Sequence, residues 1–374
     1  MLKTGVKRLL DHTSIMVALL FFAAGIGAPL AKGSPAEQRT AEQVFKNIQS
    51  LKGMPDSQLI ATMIYMQGSL GAKDCEYCHV KSGENAFDFE KDDKPKKQTT
   101  RRMIQMVLDI NKSTFEGRAE VTCFTCHQGH ERPVAVPPLP RSAESAEGQP
   151  PRPAGPFPTP EQLLNKYVEA VGGKAAAEKF NSMVLKGTNA GPNAALPVQV
   201  YRKSPGKTLS TSTSSEGTFS VGFDGTAGWM QGGNATRDMD AADLAFMKDQ
   251  EGIYDVIKIQ EPFPRMRLAG KEKVGDRDAW ILRAPGAEGK IIRLYFDADK
   301  GFLLRKSILT PTMIGAIPVQ FDFEDYREVN GARLPFTIRL SSLDMRFSWT
   351  RTFTEIKNDP SIEDSKFSKP PAGR

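Results

Sequence analysis

The sequence predicts an α+β multidomain protein: a small helical domain, then a curved antiparallel β-sheet forming an open half-barrel with accompanying helices. Three observations predict it. Every cysteine and a run of helically spaced apolar residues fall within residues 34–132. A proline-rich stretch, which buries no core and favours extended polyproline conformations, fills 133–160. From 161 to 374, one amphipathic helix gives way to period-two apolar runs separated by turn residues. At 374 residues the chain is also too long for one typical domain.

Composition adds little. Apolar content of 39% and charged content of 25% describe an ordinary globular chain. The formal charge of +6 is modest, and no basic stripe with interleaved aromatics is present, so no nucleic-acid partner is expected.

The N-terminal element, residues 1–33, reads as an export signal or anchor. Lys3, Lys7 and Arg8 precede an apolar run from Ser14 to about Ala31 that ends in small residues. The expected location is periplasmic or otherwise exported. Pro29 and Lys32 make Ala31-Lys32-Gly33 an imperfect cleavage site, and an uncleaved segment would associate the chain with a membrane. No cysteine follows the run, which argues against a lipid-modified cysteine at that point.

In the helical domain, Pro55, Asp56 and Ser57 open a helix whose face carries Leu59, Met63 and Met66 and which ends near Gly68. A second helix is expected over 97–111, with Met103, Met106, Val107 and Ile110 on one side. Beyond the linker, Leu163, Leu164, Tyr167, Val168 and Val171 have helical spacing over 161–173. Strands are expected over 198–203, 207–213, 219–223 and 227–231 and onward to the end. Turns such as Ser204-Pro205-Gly206, Asp224-Gly225, Gly275-Asp276, Asp299-Lys300-Gly301 and Asn330-Gly331 separate them, and a helix is expected over 241–259.

The cysteines carry the chemistry. They fall in two copies of one pattern, Cys75-Glu76-Tyr77-Cys78-His79 and Cys123-Phe124-Thr125-Cys126-His127. Each is a c-type haem attachment motif. Two thiols three positions apart on a short helical turn can each bond one vinyl group of a porphyrin, and the following histidine projects to the iron. Covalent attachment suits a region too small to bury two free haems. Two c-type haems are therefore expected, held by Cys75, Cys78, Cys123 and Cys126, with His79 and His127 on the irons. A four-cysteine zinc site gives no reason for a histidine after each pair, and a thioredoxin-like pair needs a strand-helix context absent here.

Each iron needs a sixth ligand, and in both halves a Met-x-x-Met helix precedes the attachment turn. Methionine at helical spacing is usually a core filler; beside a haem motif a thioether is a credible ligand, and opposite histidine it raises the potential. His130, three residues past His127, reads as a solvated surface residue, and His12 lies in the export segment.

These residues resemble the cytochrome subunit of the photosynthetic reaction centre, normally a tetrahaem protein that re-reduces the photo-oxidised chlorophyll pair. The matching runs are Phe45-Lys46-Asn47-Ile48-Gln49-Ser50-Leu51-Lys52-Gly53, Met63-Ile64-Tyr65-Met66, Cys75 to Val80, Asp92-Asp93-Lys94-Pro95-Lys96-Lys97, Arg101-Arg102-Met103-Ile104-Gln105-Met106 and Val121-Thr122-Cys123 to Gly129. In that family the first Met of each Met-x-x-Met is the sixth ligand. The resemblance thus points to Met63 and Met103, with Met66 and Met106 as core neighbours. Here there are two attachment sites instead of four, and Phe115 stands where the family's additional histidine would fall, so the photosynthetic partner is not carried over.

The sheet domain offers no histidine, no cysteine and no carboxylate cluster that demands a catalytic role. Trp229, Trp280 and Trp349 read as core packing. Leu294-Tyr295-Phe296-Asp297, the run from Phe323 to Gly331, Leu334-Pro335-Phe336 and Phe353-Thr354-Glu355-Ile356 resemble the outer-membrane lipoprotein carrier superfamily, LolA/LolB-like. That resemblance implies a lipid, acyl-chain or protein ligand and no chemistry of its own. The leading expectation is an electron-transfer protein with unknown redox partners and no catalytic residues. A peroxidase-like haem enzyme, which needs an iron with an open position, and a lipid or lipoprotein carrier with accessory haems stay open as alternatives.

Overall fold

The computed structural model describes residues 39–83, 86–134, 157–191, 194–215, 217–233, 235–249, 265–343, 348–358 and 361–370. The export segment, most of the linker and the second half of the helix expected over 241–259 lie outside the described residues.

The N-terminal region holds α1 (Ala41–Val44), α2 (Asp56–Leu70), α3 (Pro95–Thr114) and α4 (Cys123–His127). On α2 the buried residues Leu59, Thr62, Tyr65, Met66 and Ser69 recur at three- and four-residue intervals and make one face. The helix runs past Gly68 and stops at Gly71, which takes the left-handed conformation at φ 63. Proline at the first position starts α3, whose buried stripe is Lys97, Ile104, Val107 and Asn111. A short antiparallel hairpin, β1 (Val80–Gly83) with β2 (Ala86–Asp88), follows the first motif in a stretch that reads as polar loop from sequence.

Thr159 opens α5 (Pro160–Ala170) with a capping box, accepting from the Gln162 amide at 3.2 Å while its own amide donates to Gln162 Oε1 at 2.8 Å. After α6 (Lys174–Glu178) come β3 (Ser182–Ala190), β4 (Ala195–Lys203), β5 (Lys207–Ser214), β6 (Gly217–Phe223), β7 (Gly228–Gly232), β8 (Ala235–Asp238) and α7 (Ala241–Asp249). The rest is β9 (Arg267–Val274), β10 (Arg277–Pro285), β11 (Ile291–Asp297), β12 (Leu303–Thr312), β13 (Gly315–Val329), β14 (Ala332–Ser342) and β15 (Trp349–Asn358).

Strands β3 to β15 form one 13-stranded sheet in the order β8-β7-β6-β5-β4-β3-β15-β14-β13-β12-β11-β10-β9. Its adjacent strands are antiparallel, and β8 and β9 are free edges, so the sheet is open and not closed into a barrel. Alternation sets the buried face: Ala332, Leu334, Phe336, Ile338 and Leu340 of β14 all enter one core. Leu163, Leu164 and Tyr167 of α5 fill the same core, with the Tyr167 and Phe296 rings 5.5 Å apart. Trp229 is buried and donates from Nε1 to the Phe367 carbonyl at 2.9 Å, while Trp280 and Trp349 pack partly buried on the α5 core.

A separate cluster serves the helical region. It joins Ala41, Leu51, Met54, Leu59, Tyr65, Met66 and Ile104 to Ile314, which comes from the sheet.

Candidate haem-attachment sites

The first motif occupies a single 3-10 turn, Cys75–Tyr77, capped by the Asp74 carboxylate, which accepts from the Glu76 amide at 2.9 Å. The His79 amide donates to the Cys75 carbonyl at 2.9 Å, which closes the turn over both thiols. Cys75 is exposed and Cys78 half-buried, and burial pushes the Cys78 thiol up. His79 lies edge-on to Phe89 with ring centroids 5.0 Å apart. Burial lowers the His79 pKa, helped by the positive charges of Lys97, Arg101 and Lys94. That keeps the imidazole neutral, the form that ligates metal.

The second motif is α4 itself. Thr122 caps it, accepting from the Thr125 amide at 3.2 Å, while Thr125 Oγ1 accepts from the Thr122 amide at 3.0 Å. His127 is 8% exposed, and its Nδ1 lies 2.9 Å from the His130 carbonyl. A carbonyl only accepts, so in the neutral ring Nδ1 carries the proton and Nε2 keeps its lone pair. The expected solvated His130 side chain is indeed exposed, but its backbone orients the buried histidine.

Packing brings the two motifs together. The Gly129 amide donates to the Ser69 carbonyl at 2.9 Å, and Gly71 approaches so closely that a Cβ there would overlap the Gly129 carbonyl oxygen. Lys96 lies 3.8 Å from the Tyr77 ring centroid and pairs with Glu131 at 3.0 Å, so the first motif is tied to the loop after the second. Lys96 and Tyr77 both lower the Glu131 pKa by hydrogen bonding.

Met63 is partly buried against the cluster that contains Met66, itself 6% exposed. Met103 is partly buried on α3. Met106 corrects the sequence expectation of a core neighbour: it is 44% exposed, because it sits one position off the stripe through Ile104 and Val107.

Sequence reasoning assigned no role to the polar residues that shape the site. Lys97, 8% exposed, donates to the carbonyls of Phe89, Glu90 and Lys91 at 2.9, 3.3 and 2.6 Å and pairs with Asp92 at 2.9 Å. Asp92 also accepts from Arg101 at 2.8 Å and Asn47 at 2.9 Å, and the Arg101 and Lys97 hydrogen bonds hold its carboxyl well below the usual carboxylate range. The network fixes the loop that places Phe89 on His79. Asn111 plays the same part before the second motif, donating to the Val121 carbonyl at 2.7 Å and accepting from the Val121 amide at 2.9 Å. The signal for both was a basic or amide residue on the apolar stripe of α3, a place where an unpaired polar group is costly.

The donor set fits covalent porphyrin attachment better than its rivals. None of the four cysteines is in a disulfide, and among the described residues no three His, Cys, Asp or Glu side chains converge on one point, as a zinc site requires. Phe89 and Phe124, at or beside the motifs, are each 53% exposed, apolar surface that a porphyrin face would cover.

Comparison with known proteins locates the similarity. The relative from Thermochromatium tepidum, a photosynthetic reaction center cytochrome c subunit, is 31% identical over 131 residues, covering 34% of this chain and 30% of that protein. Its counterpart from Rubrivivax gelatinosus is 28% identical over 136 residues, covering 36% and 35%. The match thus spans about a third of the length of these relatives. Among solved structures, a LolA superfamily protein from Nitrosomonas europaea aligns with 57% of this chain and 99% of its own at 14% identity and a TM-score of 0.40, a likeness that carries no functional statement. The family model of the photosynthetic reaction centre cytochrome C subunit matches residues 21–149, and over that N-terminal region the chain is homologous to that family.

Proposed function

We propose that the chain is an exported dihaem c-type cytochrome that transfers electrons through two covalently held His/Met haems. The observation that carries this is the pair of Cys-x-x-Cys-His helical turns, none of whose cysteines is in a disulfide, inside a region homologous to reaction-centre cytochromes. In this scheme residues 34–132 are the cytochrome domain, 133–160 a linker, and 161–374 a β half-barrel domain that binds lipid or protein. Residues 1–33 export or anchor it. Among the described residues no helix is long and apolar enough to cross a membrane.

A c-type haem, when bound, supplies a one-electron couple. Cys75 with Cys78, and Cys123 with Cys126, hold the two porphyrins by thioether bonds. His79 and His127 would present imidazole nitrogens to the irons, and Met63 and Met103 would supply thioether ligands. The exposed Cys75 and Cys126 place an edge of each motif at the surface, where a redox partner can approach. Methionine ligation would fill the position that a haem enzyme needs open, which supports electron transfer over an enzymatic role.

A redox-titrated visible spectrum of the full chain, matured with its haems, tests the proposal. Two haems per chain by pyridine haemochrome, with a far-red sulfur-to-iron band, are expected. Met63→Ala and Met103→Ala should each remove about half of that band, whereas Met66→Leu, which keeps the volume without the sulfur, should leave it intact. Colourless matured protein would refute the proposal.

A further inference from the structure

The tip of the β12–β13 hairpin departs from what such turns usually carry. Thr312 and Gly315 face each other across the strand pair, which leaves Met313 and Ile314 as the connection. Two-residue hairpin loops favour Asn, Asp and Gly and point to solvent. Here Ile314 is 0% exposed.

The helical region buries it. Ile314 shares one apolar cluster with Leu51, Met54, Leu59, Tyr65 and Met66, and Ile317, on β13, packs against the same cluster. The hairpin backbone is shaped for the approach. Thr312 Oγ1 donates to the Gly315 carbonyl at 2.8 Å, and a Cβ on Gly315, whose φ is +153, would lie 2.5 Å from Tyr65 Oη. Only glycine lets the Tyr65 ring lie on the strand. An isoleucine at an exposed tip would be an association hazard; buried here, it completes a core that α1, α2 and α3 leave unfinished.

We propose that this hairpin is a positioning element, in which Ile314 and Gly315 hold α2 by its Leu59, Tyr65 and Met66 face and so fix Met63, which packs on the same cluster. The sheet region would thereby help fix the thioether that Met63 offers to its haem. Met63's part in this rests on the ligation proposed above.

Two readouts on the full haem-loaded chain separate packing from ligation. In Ile314→Ser, amide exchange across 56–70 should quicken about tenfold or more while that of 160–170 is unchanged. The sulfur-to-iron band should fall by about half, and Ile314→Val should restore both. Should Ile314→Ser fail to fold, Gly315→Ala, which crowds Tyr65, is expected to give the same pair of changes. Unchanged exchange on α2 would overturn the contact itself. Faster exchange with a full band would overturn the positioning and leave the hairpin as packing only. A parent protein with haem but no sulfur band would sink the ligation of Met63 and with it the positioning, while exchange would still report whether the hairpin holds α2.

Discussion

Lys97 is a cation placed where a helix normally puts an apolar residue. Its ammonium satisfies three backbone carbonyls and one carboxylate at once, which is why burial to 8% exposure is tolerated. Replacing it leaves those carbonyls and Asp92 without their donor. Lys97→Met should therefore destabilise the helical region by about 2–3 kcal/mol, read from the urea midpoint, and release Phe89 from His79. The methionines differ in kind: Met66 is interchangeable with another apolar residue of similar volume, whereas under the proposed ligation Met63 and Met103 would matter for their sulfur. The spectral variants above separate those two roles.

Among the elements, the turn at the end of α2 is the joint between the two motifs. Gly71 adopts φ 63 and faces the Gly129 carbonyl, so Gly71→Ala combines a left-handed strain of about 1–2 kcal/mol with a backbone overlap. The expected outcome is a lower melting temperature and poorer haem incorporation at both sites, since α2 and α4 separate. The C-terminal 3-10 turn Asp364–Phe367 is a strap of a different kind. Phe367 is fully buried with Leu209 and Trp229, and Asp364 pairs with Lys203 at 2.8 Å and Lys207 at 2.7 Å. Hydrogen bonds from Lys203, then Lys207, hold the Asp364 carboxyl down at about 2. A lowered folded-state pKa means the pairs contribute fully above about pH 4 and are lost as pH falls through about 2. Tryptophan fluorescence should report the strap loosening over that window, through the Trp229 bond to Phe367, and Asp364→Asn should lack the transition.

At the scale of the whole molecule, the two largest of the buried clusters among the described residues serve the sheet and the helical region. The larger one spans β3, β4, β10 to β15 and α5, and Phe321 at its centre is 0% exposed. Phe321→Ala should cost about 3–5 kcal/mol and lower the melting temperature of the sheet without shifting the haem spectrum, because its cluster contains neither motif. The smaller cluster is shared between the helical region and the hairpin tip, so damage at Ile314 should be felt on α2 first. The open edge β8 is short, at four residues, and the longer edge β9 carries Arg267, Lys271, Glu272 and Lys273, charges that discourage pairing with another chain.

What could be read from the chain alone was whatever depends on near neighbours in sequence. The Cys-x-x-Cys-His motifs, α2 and α3, the apolar face of α5 and the hairpin strands all follow from spacing and turn residues that act within a few positions. Contacts between distant residues do not. Nothing in Asp92, Lys97 and Asn47 taken singly says that they meet, nothing in Met106 says which side of the stripe it takes, and nothing in Met313-Ile314 says that a hairpin tip is buried. Tertiary structure decided these, because a side chain's burial and its hydrogen-bond partners are set by which surfaces the folded chain brings together, while the spacing pattern records only which face each residue has to offer.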